Sequence, residues 1–323
     1  MSPGLMSAAR VLRYDFLMPI RERDPWRLQY FADVDCPDDV FIATDDADGY
    51  QWNPAHRWVY NKLLIAESQG LECAPHGVDP PHYPVFSKPI FNLDGMGLGS
   101  RCLSSAEEYA LARQPGHMWM RLLQGEHVSS DVAVVRGKMR WIRHVIGLAK
   151  AGGTFDYWTV EARRKPVLES YCARWIESWM AGYTGMLNIE SIDNRIIEVH
   201  LRFADQWPDL YGPRWLDAVV NLYSSGTWAY PHESREIGFS VVLFGPHLRE
   251  YTHPEQPFID EIAKREGISS VQITFHADKP ASAHAMPPRG FRLAIVNARD
   301  FRAGCLARTE LARHFGVATD ESP

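Results

Sequence analysis

Cysteine is scarce in this chain and follows no pattern. Cys36, Cys73, Cys102, Cys172 and Cys305 are odd in number, scattered and without a Cys-x-x-Cys pair. That argues against a disulfide framework and a cysteine zinc site, and it fits reduced thiols in a cytoplasmic protein. No apolar run approaches the roughly 20 residues that cross a bilayer; runs such as 239–244 are strand-sized. The first thirteen residues lack a basic stretch, an apolar segment and a small-residue cleavage site, so no export signal is read. There is no basic excess either, since 34 Lys plus Arg face 40 Asp plus Glu for a net charge of −6. Nothing in that balance attracts nucleic acid or acidic lipid in general. Repeats and low-complexity tracts are missing. The 13 histidines include no His-x-x-x-His pair, and the one Glu-x-x-His, Glu250 to His253, has no such pair beside it to make a metalloprotease motif.

What is present is the composition of a chain that folds and buries a core, with 46% hydrophobic and 23% charged residues among 323. Three regions emerge. Residues 1–61 mix short apolar runs (11–12, 40–43) with acidic turns such as Asp45-Asp46-Ala47-Asp48-Gly49, which suggests a short α/β segment. Residues 62–230 alternate strand-like stretches (85–90, 128–135, 187–192, 196–203) with helical ones (104–113, 167–180), an α+β core. Leu168, Tyr171, Trp175 and Trp179 make one apolar face of the second helix, to be buried as core. Residues 231–323 read strand (239–244), helix (257–266), strand (271–276), strand (291–297) and helix (300–315), a small sheet covered by helices.

The stretch 186–203 is the most informative. Ile197, Val199, Leu201 and Phe203 alternate with Glu198, His200 and Arg202, and Asp193-Asn194 is a turn signal, so a hairpin is expected. A three-residue loop over 193–195 pairs Ile192 with Ile196, Glu190 with Glu198, and Asn188 with His200. A two-residue loop would put the carboxylates on opposite faces. Like charges across a ladder repel, so a same-face pair implies a compensating cation, most simply Mg²⁺. The alternative is the solvated polar face of an ordinary hairpin. Upstream, the strand 83–90 carries Lys88 and leads to Gly95, Gly97 and Gly99, whose backbone freedom suits close approach to an anion or an ordinary flexible tip.

Taken in order, these pieces resemble the ATP-grasp family over 62–228. They are Asn-Lys at 61–62, Tyr-Pro-Val-Phe-Ser-Lys-Pro at 83–89, the glycine loop, Gly-Glu-His-Val-Ser-Ser-Asp at 125–131, and the Asn-Ile-Glu and Ile-Glu-Val-His-Leu-Arg hairpin. The resemblance implies an ATP-grasp fold in which two α+β subdomains clasp ATP, flanked by the short N-terminal segment and a small C-terminal α/β region. It implies an ATP- and Mg²⁺-dependent ligase that activates a carboxylate as an acyl phosphate and joins it to an amine, releasing ADP and phosphate. Its partners would be small carboxylates and amines, without nucleic acid or membrane; the aromatic content is compatible with a homodimer.

Carried over by position, Lys62 and Lys88 look like the lysines that contact the phosphates, Lys88 also counting as catalytic. Gly95, Gly97 and Gly99 look like the lid over the β and γ phosphates. The hinge 118–123 would recognise adenine, with Met120, Leu122 and Leu123 packing beside the base. Glu190, Glu198 and His200 would ligate the metal, and Arg202 would stabilise negative charge on the substrate carboxylate or tetrahedral intermediate. Two positions depart from the pattern: His200 stands where the family usually has Asn, and His127 where it commonly has Glu. These departures leave a nucleotide-binding protein with a degenerate site as an alternative, and the same site with another acceptor would make a phosphotransferase or a carboxylase. Outside the resemblance, Asp205, Gln206 and Arg214 are candidate polar contacts of an acceptor pocket. The run Arg163-Arg164-Lys165 is read as a solvated loop or an anion site, and the strand 290–297 as a structural element.

Overall fold

The computed structural model describes residues 22, 24–93, 95, 97–150, 153–231, 235–247 and 249–318. The apolar pair 11–12 and the reading of the first thirteen residues lie outside them. Where an acidic turn is expected at 45–49, the chain instead starts a helix. Asp45 is its N-cap, accepting from the Asp48 N–H at 2.7 Å, and α1 runs Asp46–Trp52. The same Asp cluster that reads as a turn also satisfies the orphan N–H groups of a first helical turn. Helix α2 (Lys62–Glu67) begins in the same way, with the Asn61 side chain accepting from Leu63 and Leu64.

Four short strands then form an antiparallel sheet in the order β1-β4-β2-β3: β1 (Cys73–Pro75), β2 (Val85–Pro89), β3 (Arg101–Leu103) and, after helix α3 (Ala106–Ala112), β4 (His117–Arg121). A second, larger sheet follows from β5 (His127–Val135), β6 (Lys138–Ala149) and β7 (Phe155–Val160). Beyond helix α4 (Pro166–Trp179) it gains β8 (Gly185–Ile192) and β9 (Arg195–His200). The rest of the chain supplies helix α5 (Trp215–Ser225), strand β10 (Gly238–Gly245), helix α6 (Gln256–Ala263), strands β11 (Ile268–Ile273) and β12 (Phe291–Ala298), and helix α7 (Phe301–Phe315).

The large sheet has the order β11-β12-β10-β7-β6-β5-β8-β9, every neighbouring pair antiparallel. The C-terminal strands therefore do not make a sheet of their own, as the sequence suggests. β10 pairs with β7, Val241 opposite Tyr157, and covers an edge that would otherwise expose unpaired N–H and C=O groups. One sheet thus joins strands from 62–230 to strands from 231–323.

Two faces of this sheet are buried separately. Val128, Val132, Leu187, Ile189 and Val199 meet Leu168, Trp175 and Ile176 of α4 on one side. Ala133, Val145, Trp158 and Met186 meet Trp207, Tyr211 and Trp215 on the other. The helical face expected at 168–179 is only partly core, because Trp179 is 47% exposed. The strand expected to reach 203 stops at His200. Beyond it, the Leu201 N–H goes to the Tyr60 hydroxyl (3.2 Å) and the Ala204 N–H to Asp131 (2.8 Å) instead of to a neighbouring strand.

Candidate active site

The β8–β9 hairpin sets the geometry. Its turn has two residues, not three: Asp193 and Asn194 both take positive φ (49° and 57°), and Ile192 pairs with Arg195 rather than Ile196. A regular ladder from such a turn would separate the carboxylates. A bulge between Ser191 and Glu190 prevents it, because Ile197 is extra, and Glu190 still faces Glu198 while Asn188 faces His200. The bulge also breaks the expected alternation. Ile196 joins Val199 in the core under α4, while Ile197 packs with Met118, Met120 and Ala66.

Glu190 and Glu198 look into a cleft of about 870 Å³ between the small sheet and the large one. Lys62, Lys88, Gly95, Gly97, Met120, Leu122, Leu123, His200 and Arg202 all line it. Gly99 does not line it; a Cβ there would meet Pro89 and His117. Basic side chains stand beside both carboxylates and offset their repulsion. Lys62 Nζ lies 2.8 Å from Glu198 and His127 Nε2 lies 3.0 Å from Glu190. Burial would raise the Glu190 pKa, yet the His127 bond and charge, then His200 and Lys62, hold it at about 2. Burial lowers the pKa of His127, but its bond to Glu190 and the charges of Glu190 and Glu198 together outweigh that and raise it. Lys88 donates to the carbonyl of the bulged Ile197 (2.8 Å). Burial brings its pKa down to about 8 despite Glu198.

Behind this pair sits a residue that the sequence reading missed. Asp46, on α1, takes Arg202 in a two-pronged grip (Nε and Nη2, each 2.9 Å) and holds His200 through Nδ1 at 2.9 Å. Burial pushes Asp46 up, but Arg202 and then His200 hold it well below the usual carboxylate range. With Nδ1 engaged by Asp46, His200 turns Nε2 to Glu190 and Glu198 at 3.9 and 3.8 Å. The N-cap pattern at Asp45 was the one signal that could have placed Asp46 on a helix.

Two cleft-facing carboxylates are donors that a hard divalent ion prefers. Among the described residues, no group of three His, Cys, Asp or Glu side chains is arranged to hold a metal. The protein atoms thus fit an ion that brings further oxygen ligands with it, such as phosphate, and not a complete protein chelate.

The other predicted contacts divide. Asp205 and Gln206 line the cleft, Asp205 bonded to Arg27 and Gln206 to Ser240 (2.9 Å). Arg214 is exposed and outside it. In the basic run, Arg164 pairs with Glu169 and Lys165 with Glu126, which leaves them structural partners. The strand read as purely structural does carry a cleft residue, Arg292. Its lone charge in an apolar strand was the available signal.

No family model and no curated protein matches the sequence. Solved structures do match in fold. An L-amino acid ligase from Bacillus licheniformis superposes with a TM-score of 0.61 at 13% identity, over 89% of this chain and 82% of that chain. A phosphoribosylamine–glycine ligase from Thermotoga maritima gives 0.54 at 16% identity, over 80% and 77%. An N5-carboxyaminoimidazole ribonucleotide synthetase from Thermus thermophilus gives 0.54 at 14%, over 83% and 76%.

Proposed function

From the ATP-grasp fold of this chain, we infer that it is an ATP-dependent ligase that activates a carboxylate as an acyl phosphate and passes it to an amine. The observation that carries this reading is the convergence of Lys62, Lys88, Glu190 and Glu198 on one cleft. The similar ligases named above support the reaction class.

ATP would lie with its base against Met120, Leu122, Leu123 and Ile197, an apolar bed shaped by the bulge. Gly95 and Gly97, both at positive φ (68° and 64°), let backbone N–H groups turn toward the phosphates. Lys62 and Lys88 would exchange Glu198 and the Ile197 carbonyl for phosphate oxygens, offsetting their charge. Glu190 and Glu198 would hold a divalent ion such as Mg²⁺, whose charge neutralises the phosphates when bound. Arg202, fixed by Asp46, would face the carboxylate being activated and stabilise its developing negative charge.

The test is ADP release over pooled amino acids and small carboxylic acids, with the product identified by mass. A conjugate of acid and amine is expected, and Lys88→Ala and Glu198→Ala should each abolish substrate-dependent ADP formation while far-UV dichroism is unchanged. Full activity in both variants would refute the site. A stable phosphorylated product, or one enlarged by bicarbonate, would instead indicate a phosphotransferase or a carboxylase. A second reading, nucleotide binding without turnover, is favoured by one feature: His127 and Lys62 already neutralise the two carboxylates. It predicts ATP binding with no ADP from any pool.

A further inference from the structure

The far wall of the cleft, away from the lysines, is built by strands that the resemblance does not cover. Val242 and Phe244 of β10 and Arg292 of β12 line it, and Phe244 and Arg292 sit opposite each other across the ladder. Arg27 and Asp205 stand at its rim.

The arginines here are not equivalent. Arg202 is held by Asp46, and Arg27 is bonded to Asp24 (2.8 Å) and Asp205. Arg292 has no carboxylate within ion-pair distance among the described residues, and its Nε is buried without a hydrogen-bond partner. Its main chain is fully used, the N–H by Met286 and the carbonyl by Thr274, so the strand is fixed and the guanidinium alone is open. Burial, and then the charge of Arg27, lower its pKa to about 10. A partly buried guanidinium with no ion-pair partner, balanced only by the more distant charges of Asp205 and Asp24, is costly to keep, and an anion arriving by its planar fork relieves that cost.

The position indicates which anion. Asp205 is bonded to Arg27, and its charge also acts on Arg202 and Arg292. Arg202, fixed by Asp46, is the arginine assigned above to the carboxylate under activation, which leaves Arg292 on the far wall for a second anion. Trp158, Trp207 and Phe244 line the same cleft and give an apolar passage.

We propose that Arg292 anchors the free carboxylate of the amine substrate, so that the acceptor is an α-amino acid with an apolar side chain rather than a simple amine. This rests on the ligase reading for the word acceptor, but the binding site itself can be tested apart from it.

The experiment is calorimetric titration of the full chain, with and without ADP, by the apolar and aromatic amino acids, L-phenylalanine included, and by their carboxamides. Parent protein is compared with Arg292→Gln and Arg292→Lys. The proposal expects at least one amino acid to bind, its amide to bind about ten-fold or more weakly, and Arg292→Gln to lose a similar factor, with Arg292→Lys recovering part. ADP binding should be the same in all three proteins. Removing a partly buried charge that has no ion-pair partner should also leave the melting temperature of Arg292→Gln equal to or above that of the parent, whereas a packing role would lower it. Equal binding of acid and amide, unchanged affinity in Arg292→Gln, or no binding by any member of the panel would overturn the assignment. So would Arg292-dependent binding of inorganic phosphate with none of the amino acids. Failure of ADP to bind would strike the ligase reading alone, because the amino-acid titration without ADP still decides the role of Arg292.

Discussion

Asp46 shows how one buried carboxylate organises its neighbours. It lies 4% exposed between a guanidinium and an imidazole and satisfies both. Removing one partner of such a buried pair costs more than the pair contributes, since the other charge is left unpaired. Asp46→Asn is expected to destabilise the fold by about 3 kcal/mol, read from urea denaturation. With Arg202 free to swing, ADP formation should fall about a hundred-fold even where the variant is folded, because displacement by an ångström costs that much. An unchanged rate in a folded variant would show that Arg202 needs no such clamp. The identities of Glu190, Glu198, Lys62 and Lys88 could be picked out in the sequence, because a motif keeps its residues in order. Asp46 could not be, since its partners are 154 and 156 positions away. Arg292 escaped for a different reason, as one polar residue in an apolar strand is usually just a pleat facing water.

At the level of elements, the helices and strands that periodicity marks lie within a few residues of those found, but it leaves β1, β3, β6 and α5 unread and takes α1 for a turn, and the hairpin shows where periodicity stops. Pleat alternation gives the faces only if no residue is inserted, and Ile197 is an insertion that no local signal announces. The pairing of Glu190 with Glu198 came out as expected although the loop length did not, because the two-residue turn and the bulge offset each other. The turn is of the I′ kind, with two successive left-handed residues, and Asp-Asn is a poorer choice there than Asn-Gly. Asp193→Asn with Asn194→Gly should raise stability by about 0.5 kcal/mol. That would appear as a higher urea midpoint at constant slope, with ADP formation unaltered. A loss of activity would mean that the turn, and not the bulge, fixes the carboxylate register.

Over the whole molecule, burial decides how stability responds to acid. His144 is fully buried, bonded to Ser130 at 2.8 Å and 3.5 Å from Glu169, and burial brings its pKa down to about 4. The unfolded chain protonates this histidine near 6.5, the folded one only near 4, so its contribution is intact above 6.5 and is lost as pH falls through that window. Asp131 acts in the opposite sense. Burial lifts its pKa to about 6, so the folded form takes up a proton sooner than the unfolded one. Urea unfolding from pH 6.5 to 4.5 should therefore show His144→Gln losing less stability than the parent, by about 2 to 3 kcal/mol. Equal losses would mean that His144 is charged in the native state. The sequence showed an ordinary α+β composition but not the continuity of the sheet, because β10 meeting β7 is a long-range pairing with no local signature.

Lys88 belongs to the small sheet and Ile197 to the large one, and their hydrogen bond is a latch between the two. An ammonium carries three N–H donors, but one drawn toward a guest's oxygens stretches or gives up its bond to that carbonyl. Occupancy and the hold between the two sheets therefore draw on one and the same donor, so the strength of the latch in the empty protein sets part of the affinity for whatever opens it.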